Sequence, residues 1–412
     1  MKRLLLALLL AGPVHGQDEA RARVEALLAK LEQDGDVERT ALDLAALGPR
    51  AVEALLSSLA RADGPRALSL AGALATSDPR AVARAAAARL DLMPDLADRR
   101  AILTALGAVG GEGELALCAR AATLDHGALE GEFQRALGAM LARGVEPYGE
   151  LGVEWPGLAP ELRTAAARAL GDAGGDGALR FLGGLLAHPD DTAGLILAQL
   201  GRAAGGAGRD AALEVAEDVR PLLQTGDQGL QKSAAIVLGR LEDAGSVPTL
   251  VELLRSDSPA VRANAHWALQ RITTLAFPAS PQPWDLWLRR ESSWWMRRAP
   301  QAFTDLGARE EAVAAAAVKD VGEHRLDRHT LARELARALA HPSPDVRRLA
   351  CESLGRLGAD ECVSDLVALL EDRSLEVRAS ARATLRGLTG SDLGADPLAW
   401  GGLVAAAAPD RR

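Results

Sequence analysis

The sequence predicts an all-α fold, an α-solenoid of stacked antiparallel helix hairpins, on three observations. The first is composition: Ala, Leu, Arg and Gly dominate, aromatic residues make up 3% of the chain, and Asn264 is its sole asparagine. Such a mixture favours helix and is poor in strand formers. The second is length, because 412 residues exceed the roughly 250–300 that one hydrophobic core supports. The third is self-similarity. Residues 228–284 align without a gap with residues 344–400, an offset of 344 − 228 = 116. LGRL recurs at 238–241 and 354–357, Val261-Arg262-Ala263 matches Val377-Arg378-Ala379, and Trp284 matches Trp400.

The elements follow in chain order. Residues 1–16 read as a signal peptide: Lys2 and Arg3, an apolar run from Leu4 to Ala11, and small residues before a cut ahead of Gln17. The run is far shorter than the ~20 residues of a spanning helix. Export to a periplasm or beyond is therefore expected, with no integral membrane segment in the mature chain. Residues 17–155 carry degenerate helical repeats, such as DPRAVARAAAARL from Asp78 to Leu90. Residues 156–300 form a clearer module that ends in a Trp-rich segment, and residues 301–412 form a second module with a Trp-containing tail.

Inside each copy a 31-residue period appears, since Pro344 and Leu375 hold equivalent places, as do Gln228 and Pro259. That is the length of one helical hairpin. The first helix opens with Ser-Pro-x-Val-Arg, as at Ser258 to Arg262 and Ser343 to Arg347. Serine can accept a bond from a free helix N–H, and proline sits where no N–H is needed. Apolar residues then recur at helical spacing, as in Val346, Ala350, Leu354 and Leu357. Gly239 and Gly355 let neighbouring helices approach. A second helix follows, with Val363, Leu366, Val367 and Leu370, and its outer positions are expected to face the concave side. Neither helix can bury its apolar face alone, so hairpins must stack.

The pattern Pro-x-Val-Arg, a small residue, then Leu-Gly-x-Leu resembles the short HEAT-like repeats of the phycobilisome-lyase type, most strongly over 160–200, 228–275 and 344–390. It is also similar to exported bacterial HEAT proteins with a Trp-containing tail. The resemblance implies a HEAT-like superhelix acting as a scaffold, with no chemistry attached. Two enzyme types share such repeats. Di-iron deoxyhypusine hydroxylases carry His-Glu dipeptides, whereas none of the seven histidines here precedes a glutamate. Phycobilin lyases act on cytoplasmic pigment proteins, which does not suit an exported chain. A lyase-like or metal-dependent HEAT enzyme is therefore only a third reading.

Four tryptophans crowd into PQPWDLWLRRESSWW, Pro281 to Trp295. On a helix, Trp284, Trp287, Leu288, Glu291, Trp294 and Trp295 share one face. Burying an indole is worth roughly 4–6 kcal/mol, so packing is the default expectation, with Trp284 and Trp400 structural. The alternative is a carbohydrate- or small-ligand-binding patch of Trp287, Trp294 and Trp295 with Arg290 beside it. Arg262, Arg347 and Arg378 are expected to bond carboxylates or carbonyls of adjacent repeats as structural ties. In GEHRLDRH, residues 322–329, the candidates Glu323, His324, Asp327 and His329 could place three ligands on a divalent ion. Asp327 serves equally as a helix N-cap. The three cysteines, Cys118, Cys351 and Cys362, are expected as buried thiols.

Lysines number four against 43 arginines, while the net charge is −9 and the pI near 5.4. An acidic chain argues against nucleic acid as a partner. The sequence thus points to an exported, non-catalytic scaffold for a protein partner, with no catalytic, cofactor or metal residues assigned.

Overall fold

The computed structural model describes residues 22–27, 29–30, 37–62, 64–92, 94–124, 127–187 and 191–402. The signal peptide expected at 1–16 lies outside them. The chain divides into two compact units, Met1–Ala203 and Ala204–Arg412, so the division falls inside the 156–300 segment drawn from the sequence. Each unit is an all-α stack of antiparallel helix hairpins. One short exception occurs: Thr123–Leu124 and Gly127–Ala128 pair as a two-residue antiparallel ladder.

In the first unit, Val37–Ala45, Gly64–Ala75, Leu96–Val109, Glu130–Ala142, Pro160–Ala173 and Ala193–Ala203 stack in succession as first helices. Between them run the second helices, among them Pro79–Leu90, Leu115–Ala122, Tyr148–Glu154 and Gly175–Gly184. In the second unit Gln228–Arg240 stacks on Pro259–Thr273, and Glu311–Gly322, Pro344–Leu357 and Leu375–Thr389 form a further run. Helix starts follow from local chemistry. Asp78, Ser258 and Ser374 accept bonds from the N–H groups of Arg80, Val261 and Val377, and Pro79, Pro160, Pro259 and Pro344 occupy first positions. Ser343 departs from this expectation, as its hydroxyl makes no capping bond. Instead its own N–H donates to His341 Nδ1 at 3.1 Å, much as the N–H of Ser374 donates to Asp372 Oδ1 at 2.8 Å.

The Leu-Gly pairs set the spacing of the first helices. Leu106, Leu137, Leu170, Leu238 and Leu354 are all buried in the stack. The glycine beside each lets the next backbone come close at several steps. A Cβ on Gly107 would lie 2.9 Å from Ala136 Cα, and one on Gly239 would lie 3.0 Å from Ala268 Cα and 2.7 Å from Trp267 Cζ3. A Cβ on Gly171 would lie 3.3 Å from Gln199 Cα, whereas Gly322 and Gly355 make room for the side chains of Ser353 and Thr384. Backbone approaches this close occur between first helices.

All three cysteines are free and buried, and burial pushes each thiol up to about 12. Replacing Gly239 by Ala should destabilise the second unit by about 1–3 kcal/mol through overpacking. Gly138→Ala, a helical position with open space around it, should instead be neutral or stabilising by up to about 1 kcal/mol. Denaturant titration of both variants checks the contrast.

Candidate functional site

The tryptophan segment forms one helix, Pro281–Arg297, and carries two aromatic clusters. Trp284 is fully buried and its Nε1 donates to Pro278 O at 3.0 Å; Trp400 is equally buried and its Nε1 donates to Gly394 O at 3.2 Å. These acceptors also stand 394 − 278 = 116 apart, so each copy folds a tail back onto its own indole. Trp287, half-buried, sets its edge on Trp284, with ring centres 5.9 Å apart, and Phe277 and His266 complete that cluster. Trp294, 9% exposed, belongs to the core of the second unit. Its Nε1 donates to Asp320 Oδ1 at 3.1 Å and its ring stacks on His324 at 3.7 Å. Trp295 is half-buried and contacts Trp294 and Phe303 edge-on. Trp287 therefore packs with one cluster, and Trp294 and Trp295 with the other. Arg290 is exposed.

Buried Glu291 organises the loop that follows Gly322. Its carboxylate lies 3.2 Å from His324 Nδ1 and accepts the N–H groups of Arg325 and Leu326. The residues once considered as metal ligands thereby separate: His324 turns to Trp294, Asp327 caps the N–H of Thr330, Glu323 is exposed, and His329 points to a different set of carboxylates. Among the described residues no group of three or more His, Cys, Asp or Glu converges on a possible ion position.

The structural arginines share one geometry. Nη1 of Arg262 donates to Ser256 O and Asp257 O, that of Arg347 to His341 O and Pro342 O, and that of Arg378 to Asp372 O and Arg373 O. Each thus ties the loop entering its own helix, where adjacent repeats were expected. The reason is directional, because helical side chains lean toward the N-terminus and bring a fourth-position arginine back over that loop. Arg347 alone of the three also reaches the next repeat, in a two-bond pairing with Asp372 at 2.8 Å.

A second ionic cluster was not legible in the sequence. Arg328 is buried, and its donors end on Ile272 O at 2.8 Å, Leu357 O at 2.6 Å and Glu242 Oε2 at 2.6 Å. One guanidinium thus holds the ends of two first helices and the turn after a third, satisfying carbonyls that helix termini leave unpaired. His329 sits between two carboxylates, with Nε2 3.1 Å from Glu242 Oε2 and Nδ1 2.8 Å from Glu361 Oε1. Arg271 approaches Glu242 at 3.3 Å. Glu242 occupies the left-handed region, φ 52°, where the second copy places Gly358 at φ 67°. Holding a non-glycine residue there costs about 1–3 kcal/mol, which the bonds to Arg328 and His329 offset.

Trp267 was also passed over. It is 40% exposed on the first helix Pro259–Thr273 and lies across Gly239 of the adjacent helix. Val261, Ala265, Ala268, Leu269 and Ile272 form the buried stripe of its helix, and Trp267 falls between them. Its partner at the 116-residue offset is Ala383, a Trp-for-Ala difference off the buried stripe that could have marked it.

Among known proteins, a family model described as HEAT repeats matches residues 202–299 and 300–387. No curated protein matches the chain. One crystal structure of an engineered protein is 21% identical and covers 90% of this chain and 99% of its own, with a TM-score of 0.31. A second engineered protein is 20% identical, covering 59% and 96%, with a TM-score of 0.25. A designed armadillo repeat protein in complex with a (KR)4 peptide is 16% identical, covering 56% and 93%, with a TM-score of 0.24. Superpositions at such scores carry no further weight.

The cluster around His329 makes stability pH-dependent. Burial opposes the charge of His329, but hydrogen bonds to Glu242 and Glu361 outweigh it and hold the imidazole above its ordinary value. Burial likewise opposes the charge of Glu242 and Glu361, and bonding to His329 with the nearby Arg328 charge holds both below theirs. The histidine's contribution is complete below about 6.5 and is lost as pH rises through its folded value; the carboxylates' contribution is complete above about 4.3 and is lost as pH falls through theirs. The joint is strongest between those limits. His329→Gln should therefore flatten the fall in thermal midpoint between about pH 6 and 8.5, as read by scanning fluorimetry. Parallel wild-type and variant curves would contradict the assignment.

Proposed function

We propose that this chain, a HEAT-like repeat protein, is an exported, non-catalytic scaffold that holds a protein partner against the first-helix layer of its second unit. The observation that carries the reading is Trp267. In a layer whose other large apolar side chains are mostly buried, this indole keeps 40% of its surface open, and exposed tryptophan is the residue type most often found at the energetic centre of a protein interface. Asn264 and Arg271, three and four residues away on the same helix, supply polar groups around it. Arg328 ties the ends of two first helices and the turn after a third in this unit, and a face held in advance lowers the ordering cost of binding.

The charge balance supports a protein partner over a polyanion. Many arginines are already engaged, with carbonyls or carboxylates, as at Arg99, Arg220, Arg328 and Arg347, and the whole chain is acidic. Among the described residues no helix is long and apolar enough to cross a membrane. Export rests on the basic start and the apolar run at residues 2–11.

Two measurements test the reading. Partner captured from the cell envelope by cross-linking should be lost at least roughly tenfold with Trp267→Ala while the thermal midpoint stays near wild type; retained capture would remove the face from consideration. Protein recovered from a fractionated host should begin at Gln17, and an intact Met1 in a cytoplasmic fraction would overturn export.

A further inference from the structure

The tryptophan helix has a second face. Opposite the buried residues Trp284, Glu291 and Trp294 stand Leu286, Arg289, Arg290, Met296 and Arg297, at helical spacings of 0, 3, 4, 10 and 11. Leu286 is 48% exposed and Met296 74% exposed, and the three arginines between and beside them are exposed too. The helix contains two carboxylates, and both are occupied elsewhere. Asp285 pairs with Arg255 from the preceding hairpin, while Glu291 is buried under His324 and the loop N–H groups. The remaining arginine at the helix end, Arg298, is neutralised by Asp305 and Asp320. Arg289, Arg290 and Arg297 therefore present unbalanced positive charge on a chain whose net charge is −9.

We propose that this outward face docks an acidic helical segment of a protein partner, with carboxylates against Arg289, Arg290 and Arg297 and an apolar side chain at each end against Leu286 and Met296. The stripe from residue 286 to 296 spans about 15 Å at 1.5 Å per residue, three turns of an opposing helix. Arginine forks match carboxylates in two-bond geometry. A narrow acidic segment meets the stripe alone, whereas a membrane or a nucleic acid would bring its negative charge against the acidic remainder of the chain. The proposal rests on the scaffold reading and adds the chemistry of a partner at a different face.

The test uses the full chain and a fluorescein-labelled synthetic peptide of about 18 residues, helical, with Glu along one face and Leu at both ends of it. Comparators are the same peptide with Lys for Glu, vesicles of phosphatidylcholine and phosphatidylglycerol, and a DNA duplex. At about 50 mM salt the acidic peptide should bind, and binding should weaken as salt rises. The triple change Arg289→Glu, Arg290→Glu, Arg297→Glu should weaken it roughly tenfold or more. The same charge change at Arg80, Arg84 and Arg373, exposed elsewhere, should leave it within about twofold, and Leu286→Ser with Met296→Ser should weaken it about threefold. Equal losses for both triple variants, no binding of the acidic peptide, or preferential binding of vesicles or DNA through the same arginines would each overturn the proposal. If the stripe fails while capture still depends on Trp267, the Trp267 face stands without it. If Trp267→Ala leaves capture intact while the peptide still binds, the Trp267 face falls and the stripe stands.

Discussion

The close contact between successive first helices is the constraint on which the second unit and the first alike depend. A single hairpin leaves one apolar face open to water, and only a neighbour at short range can cover it. The Leu-Gly pairs at Gly107, Gly171 and Gly239 meet both needs at once. The leucine fills the interior, worth roughly 1.5–3 kcal/mol per side chain, and the glycine gives up about 0.5–1 kcal/mol of helix propensity so that backbones can pack without an intervening Cβ. Once the helices sit that near, their C-terminal carbonyls come within reach of side chains on other repeats. Arg143 reaches Gly107 O and Gly110 O, Arg209 reaches Leu241 O, and Arg328 reaches Leu357 O. The tight layer thus creates the positions that the arginines then secure.

That arrangement explains why an acidic chain can hold 43 arginines without a basic face over most of its surface. A guanidinium offers five donors and keeps its charge under burial, so it can close several orphaned carbonyls at one joint. The inward arginines have spent their hydrogen bonds on the backbone. Those of the tryptophan helix that point outward have not, and the contrast between the two populations separates architecture from recognition more clearly than arginine content does.

Much of the architecture was legible because it is local or repeated. The Ser-Pro starts, the Leu-Gly spacing and the pairing of Trp284 with Trp400 are all visible at the 116-residue offset, and the structure extends that correspondence to atoms: Thr273 and Thr389 each donate to a carbonyl four residues back and accept the N–H two residues on. The candidate site was less legible, for a physical reason. Glu242, His329 and Glu361 meet across 87 and 32 residues of chain, and no spacing rule connects them. Trp267 was not legible because aromatic density in the sequence marks residues 281–295, where packing covers most of the indole surface.

The pairing of Glu242 with Gly358 has a bearing on how the two halves of the second unit can change. Both turns adopt the same left-handed backbone, one relaxed and one held by its charged neighbours. The halves are consequently not interchangeable here: grafting the later turn into the earlier place would ease the backbone but take from Arg328 and His329 the carboxylate they share, and the reverse graft would put a non-glycine residue in the left-handed region. At this one turn the internal symmetry of the chain gives way to a fixed order along it.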